Sequence, residues 1–281
     1  MKKLYPILLL IAVGFAIKYY LDDNPQILAK IKGEIERVET PKNNTQTSGI
    51  KENKSEKIYC TLPYFKEGQI VKHKYYSFQY SEKDEQALWV AYKLTPNHLV
   101  KNVKRKDNFR TDEKVNTGSA TLNDYKKSGY DRGHLTPAGS MTFDETAMDE
   151  SFYMSNMSPQ KPRFNRGIWK KLETLIRNWV KVSDSLYVVS GPVLNDIDET
   201  IGNNKVSVPK QYYKVILKFN DNKTQAIGFL LENKSSKAPL QSFAVPIDSI
   251  EKVTGVDFNY NLSNLVEAKL ESTFDPTQWK Y

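Results

Sequence analysis

Hydropathy divides the chain into an apolar start, a polar stretch and a long mixed segment. After an initial pair of lysines, the run from Leu4 to Ile17 is predominantly apolar. A helix over this run would be about 21 Å long, and extending it through Leu21 gives about 27 Å, against roughly 30 Å for a bilayer core. We expect residues 1–21 to be a signal anchor that contacts the membrane through residues 4–21, or a cleaved signal peptide. The first alternative predicts a membrane-anchored protein facing outward and the second a periplasmic or secreted one, so both predict an extracytoplasmic location.

The polar segment that follows predicts a tether. Residues 27–38 have apolar positions at helical spacing, whereas residues 41–57 consist mainly of Asn, Thr, Ser, Lys and Glu. A segment that buries so little apolar surface does not offset the entropy lost on ordering it. We expect residues 22–57 to be a partly disordered tether and residues 58–281 to form the globular domain.

Short apolar runs in the globular part predict the strands of a sheet. Strands are expected at residues 70–80, 87–94, 185–190, 212–219 and 224–231. The last two runs are separated by the polar residues 220–223, which predicts a hairpin. A further apolar run begins at Phe243, and the spacing after it predicts a short helix that ends at Gly255.

A longer periodic run after Asn165 predicts an amphipathic helix. At about 100° per residue, the apolar side chains fall on one stripe and the charged and polar ones on the other side. The stripe consists of Ile168, Trp169, Leu172, Ile176, Trp179 and Val180. Asn165 lies in the middle of this stripe at its amino-terminal end, where a buried amide requires a partner. A divalent cation is one candidate partner, a backbone group is another, and helix N-capping is the main structural alternative.

The charge of the chain favours a polyanionic partner without identifying one. The 281 residues carry a formal net charge of +8, and the sequence pI is about 9.2. This balance is typical of proteins that bind nucleic acid or an anionic membrane, and also of a basic solvated surface. A mean hydropathy of −0.59 excludes a polytopic membrane protein. Because Cys60 is the only cysteine, an intrachain disulfide and a multi-thiolate zinc site are excluded.

The segment Asp131-Arg132-Gly133-His134 carries side chains suited to phosphodiester hydrolysis. Gly133 predicts a turn or bulge that places its neighbours in a cleft. An imidazole titrates near neutral pH, so His134 is a candidate general base for water attacking phosphorus. Arg132 offers a planar fork of donors to phosphate oxygens. A structural or merely exposed histidine is the alternative.

Two further groups of charged residues have two interpretations each. Glu173 lies about 12 Å beyond Asn165 along a regular helix, too far to bind the same cation directly. It is either an outer-shell partner that acts through water or a boundary carboxylate paired with a lysine or arginine. The polar residues 101–114 include Arg105 and Arg110 and form either a solvated loop or a loop that contacts phosphate at the site.

The order of these motifs resembles the DNA/RNA non-specific endonuclease family, which includes mitochondrial endonuclease G and secreted bacterial sugar-nonspecific nucleases. The resemblance covers roughly residues 69–249, with matching motifs at 131–134, 153–160, 165–173, 190–193 and 208–215. It implies an α+β, ββα-metal nuclease fold, in which an antiparallel core sheet is flanked by helices. In that fold two strands and a helix hold one cation.

The resemblance also implies roles for individual residues. The matched catalytic residues are His134 as general base, Arg132 at the phosphate, Glu173 supporting water on the cation, and Asn156 ordering the site. Asn165 matches the metal-binding residue, and one neutral amide ligand suits Mg²⁺, with Mn²⁺ as the alternative. An upstream arginine contacts phosphate in the family, and Arg105 is the first candidate for that place, with Arg110 as the second.

We therefore expect a metal-dependent endonuclease that cleaves DNA and RNA with little sequence specificity, because it acts on the backbone that all sequences share. The alternative is an extracytoplasmic protein that keeps the fold and captures nucleic acid with weak or no cleavage. Some relatives form homodimers, and the match leaves the oligomeric state open.

Overall fold

A seven-stranded antiparallel sheet forms the centre of the structure, a computed structural model that describes residues 62–220 and 223–280. The central sheet has the strand order β1-β2-β3-β6-β9-β10-β11, and all of its neighbouring strands are antiparallel. Two separate two-stranded ribbons are formed by β4 with β5 and by β7 with β8. The strands, in chain order, are β1 (Gln69–Lys72), β2 (Tyr76–Ser81), β3 (Gln86–Leu94), β4 (Asp131–His134), β5 (Met157–Gln160), β6 (Ser185–Pro192), β7 (Ile197–Ile201), β8 (Val206–Pro209), β9 (Gln211–Asn220), β10 (Lys223–Glu232) and β11 (Ala244–Val245).

Helices cover both faces of this sheet. The helix α4 packs on one face through Leu172 and Ile176, and α5 packs on the other through Ile247 and Ile250. The arrangement confirms the expected antiparallel core sheet flanked by helices. The helices are α1 (Leu122–Tyr125), α2 (Glu145–Glu150), α3 (Pro162–Phe164), α4 (Lys170–Val180), α5 (Ile247–Thr254) and α6 (Asn264–Glu271).

The double coverage explains why the central strands are almost continuously apolar. On β6, Val188 belongs to the core under α4, and the next residue, Val189, belongs to the core under α5. On β9, Ile216 and Val215 alternate in the same way. Because successive side chains of a strand point to opposite faces, a strand that is covered on both sides needs apolar residues at consecutive positions.

The apolar runs predict four strands correctly and misplace one. The predicted single strand at residues 70–80 is wrong, because β1 and β2 form a hairpin closed by a hydrogen bond from His73 N to Tyr76 O at 2.9 Å. The turn contains neither glycine nor proline, so the sequence pattern continues through it without a break. The strands predicted correctly are β3, β6, β9 and β10, and β9 pairs with β10 as the expected hairpin.

The short helix predicted before Gly255 is confirmed as α5. Gly255 has a φ of 72°, in the left-handed region, and its N–H donates to Glu251 O at 2.7 Å. Glycine adopts this conformation without the steric cost that a Cβ would add, so the helix ends there.

The helix at Asn165 is less regular than its periodicity predicts. Helical structure begins earlier, at Pro162, and the segment Asn165–Trp169 winds as a π-helix in which Gly167 has φ −105° and ψ −110°. A π-helical turn holds an extra residue, so angles counted from Asn165 do not hold across it. The apolar stripe itself is confirmed, since Ile168, Trp169, Leu172, Ile176, Trp179 and Val180 are all buried.

Residues 1–61 lie outside the described residues, and with them the expected signal segment at 1–21 and the tether at 22–57. The division of the chain into these segments and a domain at 58–281 stays a prediction. Among residues 62–220 and 223–280, no helix has both the length and the apolar character to cross a membrane.

Candidate active site

The ribbon of β4 and β5 carries the predicted histidine and arginine. Arg132 and His134 are two residues apart on β4 and share one face, while Asp131 and Gly133 share the other. The expected turn at Gly133 is wrong, because this residue lies inside the strand and pairs with β5. Glycine is needed there for space: a Cβ would lie 2.2 Å from the side chain of Gln160.

Two phenylalanines hold the ring of His134. Phe109 and Phe152 meet it edge to face, with ring centroids 5.7 and 5.1 Å away. The histidine makes a hydrogen bond to the backbone of Arg132, and its Nε2 is buried with no hydrogen-bond partner among the described residues. We assign the tautomer in which Nδ1 donates to Arg132, because it satisfies this bond and leaves the lone pair of Nε2 free. A nitrogen with a free lone pair is what a general base requires.

Burial and two arginines keep His134 neutral. Its pKa is lowered from 6.5 to about 3, first because burial penalises the charged ring and then because Arg105 and Arg132 are nearby. The hydrogen bond to the backbone of Arg132 raises the pKa, but by less than the other causes lower it. The environment of His134 thus lowers its pKa from the near-neutral value of an exposed imidazole, which favours the unprotonated base.

Each of the two phenylalanines that contact the histidine also has an arginine guanidinium over its ring. The guanidinium of Arg132 lies 4.1 Å from the centre of the Phe109 ring, and that of Arg105 lies 4.9 Å from the centre of the Phe152 ring. The two positive groups thus flank the neutral histidine. This arrangement favours an anion beside His134.

An open cleft of about 590 Å³ lies in front of the ribbon. Arg105, Arg132 and Asn165 all line it, so the structure brings three of the predicted site residues together. His134 adjoins this cleft through Phe109, which is part of its lining.

Arg110 does not line the cleft. It donates to the carboxylate of Asp149 at 2.5 Å and to the Asp149 carbonyl at 3.1 Å. Its guanidinium also lies 4.0 Å from the centre of the Tyr153 ring. These contacts tie the loop to the end of α2, which favours Arg105 over Arg110 as the residue at the phosphate.

Asn165 is a residue of the helical run and not its cap. Its backbone is helical and its N–H donates to Lys161 O at 3.0 Å, which excludes the capping alternative. The side-chain Nδ2 donates to Asp131 Oδ2 at 2.9 Å, and no described residue donates to Oδ1. A neutral amide oxygen of this kind is a ligand for a hard divalent cation.

Glu173 lies half-buried on α4 among positive charges. Burial raises the pKa of its carboxyl, and the charges of Lys214, Arg177, Lys170 and Arg105 act against that rise, in decreasing order of effect. No ion pair of 4 Å or less joins Glu173 to a lysine or arginine among the described residues, so both interpretations of this carboxylate stay predictions.

Asn156 is fully buried and orders the chain after His134. Its Oδ1 accepts from Thr136 N at 2.8 Å, while Nδ2 donates to Thr136 O at 3.0 Å and to Ser151 O at 2.8 Å. Because the amide is occupied by backbone groups, Asn156 positions the loop and does not contact substrate.

The other two histidines stack on aromatic rings outside the cleft. His73 is buried, contacts Asp112 at 2.8 Å and stacks on Tyr153 at 4.8 Å between ring centroids. His98 stacks on Phe143 at 4.0 Å. His134 differs from both, because it contacts Phe109 of the cleft lining and lies near Arg105 and Arg132.

The family model for DNA/RNA non-specific endonucleases matches residues 53–265. The chain belongs to this family. It is accordingly a nuclease, a hydrolase that acts on nucleic acids. Human mitochondrial endonuclease G is 34% identical over 209 residues, which cover 69% of this chain and 70% of that protein. The mitochondrial nuclease of Saccharomyces cerevisiae is 35% identical over 202 residues, which cover 63% of this chain and 61% of that protein.

The crystal structure of the EndoG/EndoGI complex confirms the fold. It matches with a TM-score of 0.66 at 33% sequence identity, over 70% of this chain and 87% of that chain. The expected α+β, ββα-metal nuclease fold is therefore correct. Members of the DNA/RNA non-specific endonuclease family depend on a divalent metal.

The expected extracytoplasmic location is contradicted by these relatives. The human and the yeast protein are both mitochondrial nucleases by name, and such relatives do not support an outward-facing, periplasmic or secreted protein. An apolar run after two lysines does not by itself specify a compartment, which is why hydropathy alone led to the wrong expectation.

Three residues near the nuclease site received no role from the sequence. Asp131 orients Asn165, Gln160 packs against Gly133 with no hydrogen-bond partner for its amide among the described residues, and Lys214 is a completely buried lysine. Only Lys214 gave a usable signal, because a lysine inside a continuous apolar strand is unusual.

Proposed function

We propose that this nuclease is a metal-dependent endonuclease that hydrolyses phosphodiester bonds of DNA and RNA with little sequence preference. His134 acts as the general base and Asn165 holds the divalent cation. The observation that carries the proposal is the environment of His134, whose buried Nε2 has no partner among the described residues and whose ring lies near Arg105 and Arg132. A water molecule that reaches this nitrogen can donate a proton to it.

The two arginines bind the phosphate. Each guanidinium rests on an aromatic ring, which limits its motion. Nε of Arg105 donates to Asp107 Oδ1 at 2.7 Å, so its two terminal nitrogens are the donors that remain for phosphate oxygens. A bound phosphate also offsets the positive charge that lowers the pKa of His134. Substrate binding therefore raises that pKa towards the range in which the imidazole accepts a proton.

His134 removes a proton from water as the water attacks phosphorus. Nε2 accepts the proton, while Nδ1 keeps its hydrogen bond to the backbone of Arg132. That bond holds the ring in one tautomer and stabilises the imidazolium once it forms.

Asn165 fits a hard divalent cation. Mg²⁺ keeps several waters and takes few protein ligands, so one amide oxygen is compatible with Mg²⁺, and Mn²⁺ is the second choice. Within the described residues, no group of three His, Cys, Asp or Glu ligands lies at Asn165, which disfavours zinc. A bound cation supplies positive charge that stabilises the leaving oxygen. Glu173 is the carboxylate that orders water beside it.

Little sequence preference follows from the kind of groups involved. Arginines and a cation act on the phosphate backbone, which is common to DNA and RNA, and the net charge of +8 supports binding of a polyanion. A homodimer stays a prediction of the family resemblance.

Cleavage assays with the full chain test the proposal. Plasmid DNA and RNA are incubated in Mg²⁺ or EDTA with the wild type, His134→Ala and Asn165→Ala. The matched controls are His98→Ala, which removes a stacked histidine outside the cleft, and Asn178→Ala, which removes an exposed amide on α4. We expect the wild type and the controls to cleave both substrates in Mg²⁺. EDTA and the two site variants should lower the rate by about 10²-fold or more.

Two outcomes would overturn the proposal. Undiminished cleavage by His134→Ala excludes this residue as the base. A folded wild type that binds nucleic acid and does not cut it, in Mg²⁺ or in Mn²⁺, replaces the endonuclease with a nucleic-acid-capturing protein.

A further inference from the structure

A buried lysine lies behind the proposed general base. Lys214 is on β9 next to Ser190 of β6, and its exposed fraction is 0%. Its Nζ donates to Ser190 Oγ at 2.9 Å and to Leu135 O at 3.4 Å, and lies 4.3 Å from the centre of the Trp169 ring. A buried ammonium is costly unless it is paired and hydrogen-bonded, so these contacts fix its position.

Trp169 donates a hydrogen bond to the carbonyl group of the residue before Leu135. Its Nε1 donates to His134 O at 3.5 Å, and Lys214 donates to the next carbonyl, Leu135 O. Two consecutive carbonyl groups at the histidine are thus held by side chains from the π-helical segment and from β9. These bonds attach the backbone of His134 to the helical run that continues to Glu173.

Glu173 is the carboxylate that acts electrostatically on the lysine, although no ion pair of 4 Å or less joins the two side chains among the described residues. It follows Trp169 by four residues, about one helical turn, so both side chains lie on one face. Burial raises the pKa of Glu173, and Lys214 is the largest of the charges that act against this rise. Glu173 in turn raises the pKa of Lys214, which burial lowers. The other cations that face Glu173 are Arg177, Lys170 and Arg105, and none of them is fully buried.

We propose that Lys214 is a positioning residue of the nuclease site. It fixes the backbone after His134 against the helical run that continues to Glu173, so that the base and the carboxylate keep their relative positions. Lys214 does not contact the substrate. The inference rests on the roles proposed above for His134 and Glu173.

Lys218 supplies a matched control on the same strand. It lies four residues further along β9, on the same face, and its exposed fraction is 8%. Its Nζ lies 4.3 Å from the centre of the Trp279 ring and donates to Gln278 O at 2.7 Å. Replacing either lysine removes a cation–π contact and a bond to a carbonyl, but only the contacts of Lys214 involve the site.

Steady-state plasmid cleavage by the full chain separates positioning from general stability. We expect Lys214→Met to lower kcat at least about tenfold with KM changed by no more than about twofold, because misplacement affects the chemical step and not the binding of nucleic acid. Lys218→Met should keep kcat within about twofold of the wild type even where it lowers Tm. An unchanged kcat for Lys214→Met, or an equal loss for both variants, would overturn the proposal.

Trp169→Phe tests the same attachment if Lys214→Met does not fold. It removes the Nε1–H donor to His134 O and keeps an aromatic ring beside the lysine. A kcat lowered about threefold or more, with KM unchanged, supports the proposal, and an unchanged kcat contradicts it.

Thermal unfolding tests the charge pair without any activity measurement. Lys214→Met removes the largest positive influence on the half-buried Glu173, and Glu173→Gln leaves Lys214 buried without the carboxylate that raises its pKa, whereas the double variant removes both charges. We therefore expect the double variant to lose less Tm than the two single variants lose in sum, by about 3 °C or more. Additive shifts would overturn the pairing. This comparison stands even if the wild type does not cleave nucleic acid, a result that would refute only the proposed function.

Discussion

Asp131 accepts a hydrogen bond from the side-chain Nδ2 of Asn165 at 2.9 Å, across 34 residues of sequence. The same carboxylate accepts two bonds from Arg166, at 2.8 and 2.6 Å. Because an ionised carboxylate only accepts hydrogen bonds, it fixes the orientation of the amide, with Nδ2 towards Asp131 and Oδ1 away from it. The first residue of β4 therefore determines which atom of Asn165 is available to a cation.

Asp131→Asn is expected to weaken cation binding. An asparagine at this position presents either an oxygen or an NH₂ group to Asn165, so the amide loses its single preferred orientation. We expect the Mg²⁺ concentration for half-maximal plasmid cleavage to rise by about tenfold to a hundredfold, as is usual when a partner of a metal ligand is removed. The measurement is a titration of cleavage rate with Mg²⁺.

Asp196→Asn is the control for this titration. Asp196 pairs with Lys210 on the surface, and the variant removes a carboxylate without touching the site. Its titration should coincide with that of the wild type. If the titration of Asp131→Asn coincided as well, other contacts would have to orient Asn165.

Gly133→Ala is expected to destabilise the fold by about 1–3 kcal/mol, since the added Cβ would lie 2.2 Å from Cδ of the buried Gln160 side chain. Urea unfolding measures the change. Gly139→Ala is the matched control, because a Cβ there meets its nearest atom, Nη1 of Arg177, at 3.4 Å. Equal unfolding midpoints for the two variants would show that Gln160 moves aside without cost.

The sequence predicts best those strands whose side chains are buried on both faces, because they are apolar at consecutive positions. β6 and β9 are readable as apolar runs because side chains on both of their faces are buried. The short ribbon of β4 and β5 has no such pattern, and its strands are stabilised by contacts with residues distant in sequence. Glycine at position 133 illustrates the limit: a glycine indicates either a special φ or a close neighbour, and only the structure distinguishes the two.

The motifs predict candidate site residues, whereas the contacts between these residues come only from the structure. The preference for Arg105 over Arg110 depends on which guanidinium lines the cleft, and both lie in the same polar loop. The helical angles counted from Asn165 failed at the π-helical segment, because that count assumes a regular helix. Lys214 received no role from the sequence, because its contacts lie on three other segments of the chain.

Glu271 is a buried carboxyl near the carboxy-terminal end of the described chain. Its exposed fraction is 1%, and Oε1 accepts from Asn259 Nδ2 at 2.5 Å. Burial raises the pKa of Glu271 from 4.5 to about 8, and the neighbouring carboxylates of Glu251, Glu267 and Asp248 add to the rise. A carboxyl with a higher pKa in the folded state binds its proton more tightly there. Its contribution to stability is therefore complete below about pH 4.5 and is lost as the pH rises to about 8.

Glu271→Gln is expected to stabilise the protein at pH 8 and to have little effect near pH 5. Glutamine stays neutral at both values and keeps an oxygen that accepts from Asn259, so it removes only the cost of ionising a buried carboxyl. We expect a gain of about 1–3 kcal/mol at pH 8, or about 3–10 °C in Tm. Thermal unfolding is recorded from pH 5 to pH 8 in EDTA, which prevents cations from binding to Asp248 and Glu251. Glu113→Gln, at an exposed position, should follow the wild type throughout. A curve for Glu271→Gln that ran parallel to the wild type would show that ionisation of Glu271 is not linked to folding.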